Sequence, residues 1–301
     1  MHAPAPAAQR FDRTAAIQFI VCTLIWGCTW QVIRTQLGEV PPSWSVTWRF
    51  LVAGLALTAW CLATGRTLAI GRRGHAFALT AGVFQFAINF NLVYRAEEHI
   101  ASGLVALLFA LLLVPNAVFG WLFLGHRLSR RFVIGSAMGI AGVALLFAPD
   151  FSGSGADPDT LLGIALATGG VLSASFANIM QASRRGQALP LEGTLAISML
   201  YGTALNAGIA LVLAGPPAIG TSPAYLGGLA FLGLAASAVA FILYFRLIRS
   251  VGPAAAAYTG IIIPVLAMAL STFLEGYRWT PPAIAGATLA LAGMIVALRT
   301  R

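Results

Sequence analysis

The sequence predicts an all-α integral membrane protein of ten transmembrane helices, arranged as two inverted five-helix repeats. Three observations predict it. Of 301 residues, 59% are hydrophobic and only 9% charged, against roughly 25% charged in an ordinary soluble domain. Apolar runs near the roughly 20 residues needed to cross a bilayer recur from end to end. The two halves of the chain also resemble one another when aligned.

The runs place spans near 14–36, 42–63, 75–95, 101–124, 132–148, 161–183, 191–213, 225–246, 252–274 and 281–298. The leading MHAPAPAAQRFDR is short and rich in Ala and Pro, and the first run ends without a small-residue cleavage site. It is therefore expected to stay as a helix. Within that helix, LIWGCTWQVI puts Trp26 and Trp30 four apart on one face, at mid-span depth and not at the headgroup depth where tryptophans anchor. They either wall a cavity or fill a helix interface. In the second span Arg49 is the sole charge well inside hydrocarbon. It can snorkel outward or pair with an acid such as Glu39, and binding a substrate carboxylate is the sharper alternative.

The third span, GVFQFAINFNLVYR, sets Gln85 and Asn89 at i and i+4, with Phe90 in a stripe beside them. Unpaired amides in hydrocarbon cost several kcal/mol, about 2–7 per group, so they must meet protein or a cavity. Interhelical hydrogen bonding is the plain alternative. Pro115 falls mid-span in the fourth helix and Pro264 in the ninth, where each is expected to kink its helix and serve as a gating bend. Gly135, Gly139 and Gly142 in the fifth span and Gly286 and Gly293 in the tenth suit close helix packing. The sixth span supplies Phe176 and Asn178, the eighth Phe241 and Tyr244, and the ninth Tyr258. Aromatic walls with a few amides and hydroxyls fit a small amphipathic solute.

All eighteen basic residues are arginines. Without lysine there is neither a P-loop nor a Schiff-base pigment. Fourteen arginines fall at the termini or in loops of one face, and Arg34, Arg95 and Arg278 on the other. By the positive-inside rule both termini are cytoplasmic. The net charge of +9 is thus a topology signal, and nucleic acid is not expected as a partner. The cysteines Cys22, Cys28 and Cys61 are expected to be small packing residues. Every acid and histidine sits at a span end or in a loop, with no metal-ligand spacing, no cofactor motif and no nucleophile–base set. An intramembrane enzyme is the weak alternative.

Residues 115–146 resemble 264–297: Pro115 answers Pro264, Phe123 answers Phe273, and Gly142 answers Gly293. That divides the chain into a repeat over 14–148, an external connection over 149–160, and a second repeat over 161–298. Five spans per copy is odd, so the second copy enters from the opposite side. Inverted repeats are an architecture of alternating-access carriers.

The WG of the first span, Pro41 with Arg49-Phe50, the Pro-bearing fourth and ninth spans followed by FLGHRLS and FLEGYRWT, and the Gly-x-x-x-Gly of the fifth together resemble the drug/metabolite transporter superfamily, EamA-type. The likeness runs over essentially the whole chain. His126 stands where that pattern usually has an acid, whereas Glu275 keeps one in the second copy. The resemblance implies a bacterial inner-membrane carrier, with greatest likeness to exporters of aromatic amino acids; its expected partners are the lipid bilayer and a small amphipathic solute, and a monomer is the expectation for its assembly, which the sequence does not fix. Amino-acid export without an evident ion-coupling site is the favoured function. A broad drug or metabolite exporter is the alternative.

Overall fold

The computed structural model describes residues 12–125, 128–148, 157–251 and 259–298, and among them every regular element is helical. Helix α1 (Arg13–Arg34) starts at Asp12, whose carboxylate accepts from the Ala15 backbone N–H at 2.7 Å. Helix α2 (Pro42–Ala63) has proline in its first turn, where the missing N–H costs nothing. Helix α3 (Gly71–His99) widens into a π-helical stretch over Gly82–Ile88. Helix α4 (Ser102–Leu124) is broken at Leu111 and Leu112, one turn before Pro115, as a ring without an N–H dictates.

Helix α5 (Arg130–Leu146) is capped by Ser129, and α6 (Pro158–Ala182) by Asp157. Hydrogen bonds from Thr160 and Asp159 hold the Asp157 carboxyl below its ordinary value. A short helix, Arg184–Ala188, leads into α7 (Leu191–Ala214). Helix α8 (Pro223–Leu247) carries a second π stretch at Phe231–Val239. Helices α9 (Thr259–Leu274) and α10 (Pro281–Leu298) complete the described chain.

Among the described residues seven helices, α1 to α4 and α6 to α8, are long and apolar enough to cross a membrane by length and composition. The described part of α9 has 16 residues and α5 has 17, or about 25 Å of rise each. The expected ninth span began at 252, and residues 252–258 lie outside the description. The expected external connection, 149–160, is described only from Asp157 onward.

The helices pair in a definite pattern. α2 packs on α7, α5 on α10, the second half of α3 on α6, α1 on α8 and α9, and α4 on α6 and α9. The α5–α10 contact rests on glycine: a Cβ added at Gly142 would lie 2.4 Å from the Ala290 backbone nitrogen. Between the pairs, Phe50, Phe86 and Phe241 form a core, with ring centroids 5.0 Å apart (Phe50–Phe86) and 5.5 Å apart (Phe86–Phe241). Outward-facing side chains such as Val212 and Phe273, each 84% exposed, suit lipid and not water.

In the two π stretches backbone N–H groups reach carbonyls five residues back, as Asn89 N–H does to Phe84 O, and side chains from neighbouring helices donate to carbonyls of these stretches as well. Asn206 Nδ2 donates to Phe86 O at 2.9 Å and Ser173 Oγ to Phe84 O at 2.7 Å. In α8, Trp26 Nε1 donates to Ala236 O at 3.0 Å. Asn91 and Asn206 also bond to each other at 2.7 Å, so the interhelical amide link falls on this pair. Cys22 and Cys61 are buried, as packing residues should be; Cys28 is exposed on the outer face of α1, a correction to its expected packing role. It sits two residues from Trp26 and Trp30, and helical phase turns it away from them.

Candidate functional site

A cavity of about 210 Å³ opens between α1, α2, α3, α4, α6, α8 and α9. Trp26, Trp30, Gln85, Asn89, Phe90, Asn178, Phe241 and Tyr244 all line it. Its aromatic wall is continuous. Trp26 meets Phe241 edge-on at 5.5 Å and Tyr244 at 4.9 Å, and Trp30 leans on Phe109 at 5.1 Å. Its polar groups are sparse. Asn89 Nδ2 donates to Gln85 O at 3.3 Å and leaves Oδ1 unpartnered, while Asn178 Nδ2 approaches Asn116 Oδ1 at 3.5 Å.

Of the two other expected members, one is elsewhere and one is not described. Phe176 does not reach the cavity; it packs on Phe84 at 4.4 Å and on Phe123 at 6.4 Å. Helical phase is the reason. Ala174 and Asn178 face the cavity, and Phe176, two residues from each, points about 200° away. Tyr258 lies outside the described residues. Its neighbours Thr259 and Gly260 line the cavity, as does Pro264. Pro115 is not in the lining, although Leu112, Leu113 and Asn116 around it are.

Arg49 departs furthest from expectation. It neither snorkels nor pairs with Glu39: it is 1% exposed, lines the cavity, and donates from Nε to Ser237 Oγ at 3.0 Å. Its guanidinium carbon sits 4.4 Å from the Phe90 ring centroid. Glu39 instead accepts from the Ser222 hydroxyl at 2.6 Å and from the Ser222 N–H at 3.1 Å, and these bonds hold its carboxyl below the ordinary value. Asn116, Thr29, Phe109 and Phe245 were not singled out in the sequence. Asn116 follows Pro115 directly, so an amide beside a mid-span proline was the available signal.

Polar clusters close the two ends of the bundle. At one, Glu275 accepts from the Ser102 hydroxyl, from the Ser102 N–H at 3.1 Å and from Ser271 Oγ at 3.0 Å. Ser271 Oγ in turn accepts from the Gly103 N–H at 2.9 Å, so α9 caps the start of α4. At the other, Glu192 accepts from Arg66 and from Arg246, each at 2.9 Å. The counterpart position His126 lies outside the described residues.

A membrane-embedded helical bundle around an aromatic cavity with few polar groups belongs to the class of membrane transporters. The profile of the EamA-like transporter family matches residues 13–148 and 161–299, and the chain belongs to that family. An uncharacterized inner membrane transporter of Escherichia coli (strain K12), YedA, is 31% identical over 84% of this chain and 80% of its own. The uncharacterized transporter YvbV of Bacillus subtilis (strain 168) is 26% identical over 87% of this chain and 84% of its own. Protein PagO of Salmonella typhimurium (strain LT2) is 28% identical over 42% of each chain. A solved crystal structure, described only as that of a protein, superposes with a TM-score of 0.69 at 22% identity. It covers 94% of this chain and 96% of that one, a likeness of fold.

Proposed function

We propose that this transporter exports amino acids, aromatic ones included, by alternating access of two inverted five-helix repeats, without a coupled ion. The observation that carries the substrate reading is the cavity. Its volume of about 210 Å³ is below the roughly 300–1,000 Å³ typical of drug-sized pockets, which favours an amino-acid-sized solute over a large drug. Its aromatic wall suits an apolar side chain, and its few amides suit a zwitterionic head.

Support for the repeats comes from the pairing of helices, which is unchanged when each helix in the first half is exchanged for its counterpart five places on. α2–α7, α5–α10 and α4–α9 map onto themselves, and α3–α6 exchanges with α8–α1. The π stretches fall in α3 and α8, which are also counterparts. The family profile matches in two consecutive blocks. Such a layout places a substrate site between the halves. With inverted copies and both termini cytoplasmic, a single cysteine placed after Asp150 reacts with a membrane-impermeant thiol reagent added outside intact cells. Protection there until the cells are opened contradicts the inversion.

Among the described lining residues no carboxylate or histidine is present, and these are the usual intramembrane groups that bind a coupling ion. The buried Glu97 carboxylate on α3 is not among the lining residues, and the lining supports facilitated exchange. Liposomes holding the purified chain and loaded with phenylalanine are expected to take up labelled phenylalanine by counterflow with no proton or sodium gradient. Competition by other amino acids, and not by bulky drug cations, separates this function from broad drug export. Uphill accumulation driven by an imposed ion gradient contradicts it.

A further inference from the structure

We propose that Arg49 is the anion-binding group of the cavity and takes the carboxylate of the transported substrate. The proposal deepens the carrier function above and rests on it, narrowing the solutes to small carboxylates with an apolar or aromatic tail.

The reasoning begins from what Arg49 lacks. Its side chain is 1% exposed on α2, and its Nη1 has no hydrogen-bond partner. Among the described residues no carboxylate comes within salt-bridge distance of it; the acidic partners in ion pairs are Glu192 and Asp159, held by other residues. Glu39, the acid nearest in sequence, is engaged by Ser222. The contacts Arg49 does make are a neutral acceptor, Ser237 Oγ, the neighbouring Tyr94 hydroxyl, and the faces of Phe90 and Phe50, whose ring centroids lie 4.4 and 5.4 Å from its guanidinium carbon; the carboxylate of Glu97, fully buried and without a hydrogen-bond partner, acts on it through charge from beyond salt-bridge distance. Such contacts orient the cation and leave it without a direct ion pair.

A guanidinium held this deep with a donor left over is unfavourable unless an anion completes it. The rigid planar fork, fixed by Ser237 and stacked on Phe90, is pre-organised to receive a carboxylate once a small side-chain shift brings the covered Nη1 to the cavity. Asn89 adds the complementary group. Because its Nδ2 donates to Gln85 O, the amide orientation is set by that bond, and Oδ1, unpartnered and in a side chain only 2% exposed, is left as an acceptor for an ammonium. Trp26, Trp30, Phe241 and Tyr244 supply the wall for the tail.

The test uses the wild-type full chain in detergent and reads binding by quenching of tryptophan fluorescence, since Trp26 and Trp30 line the cavity. L-Phenylalanine and 3-phenylpropionate carry the carboxylate; phenethylamine and L-phenylalaninamide keep the ring and the amine without it. The first two are expected to bind, and the last two at least about tenfold more weakly, the loss of one charge-assisted pair. Arg49→Gln is expected to remove that preference, and Arg49→Lys to keep it with reduced affinity. Equal binding of phenethylamine and phenylalanine by the wild type overturns the anchor while leaving an amphipath carrier standing. Binding of none of the four overturns the carrier function and the anchor with it. Arg49-dependent binding of chloride or phosphate without 3-phenylpropionate also overturns the assignment, because the anion is then inorganic. The ligand series needs no variant, so a poorly folding Arg49→Gln leaves it decisive.

Discussion

Replacing Gly142 with leucine is expected to cost the fold more than any substitution inside the cavity. A Cβ at Gly142 meets Ala290 N at 2.4 Å and Gly286 O at 2.6 Å, and one at Gly135 meets Ala297 N and Gly293 O at 2.4 Å. The partners are backbone atoms, which cannot swing aside as a flexible side chain would. From the other side, a Cβ at Gly286 meets Gly142 O at 2.5 Å and one at Gly293 meets Gly135 O at 2.5 Å. In a bilayer there is no hydrophobic drive holding α5 to α10, so close packing of small residues is what joins them. Overpacking by a leucine should destabilise by about 1–3 kcal/mol or more. Thermal melting in detergent checks it against Gly208→Ala, where an added Cβ finds nothing within 4 Å and stability should hold or rise slightly. A Gly142→Leu protein that melts with the wild type contradicts the glycine seam.

The second large effect separates transport from stability. Asn89→Ala removes a side chain that has an unpartnered buried oxygen and one long bond of 3.3 Å, so the melting temperature should stay level or increase. Transport should fall at least about tenfold, because the amide is one of few polar groups the substrate can meet. Trp30→Ala should behave similarly with a modest stability loss, since Trp30 is only half-buried and its main ring contact is Phe109 at 5.1 Å. Uptake into liposomes and melting, measured on the same preparations, decide the matter. Loss of both in step would make these residues packing groups.

The sequence was most informative where one residue type is costly in lipid. Trp26, Trp30, Gln85, Asn89 and Asn178 stood out because indoles and amides at mid-span need a reason, and all five line the cavity. Phe176 misled because an aromatic residue is at home on any face of a membrane helix, and the apolar sequence around it carries no moment that fixes the rotation. Asn178, two residues on, was the better guide. The π stretches Gly82–Ile88 and Phe231–Val239 were invisible, because hydrophobic periodicity carries no sign of them and the side chains that donate to their carbonyls, Asn206 and Trp26 among them, come from other helices. Arg49 was conspicuous as a charge, but its partner was not legible, because Ser237 lies 188 residues away.

That the cavity receives the substrate is tested most directly on α6, where two neighbouring positions face different ways. In a chain with Cys22, Cys28 and Cys61 replaced by serine, a single cysteine is placed either at Asn178, which lines the cavity, or at Phe176, which packs on Phe84. Labelling by a small maleimide is then timed with and without saturating phenylalanine. The expected result is slower labelling at position 178 when phenylalanine is present, loss of uptake once that cysteine is modified, and no phenylalanine effect at position 176. Equal labelling rates at 178 with and without phenylalanine, in protein that still transports it, would contradict a substrate site in this cavity.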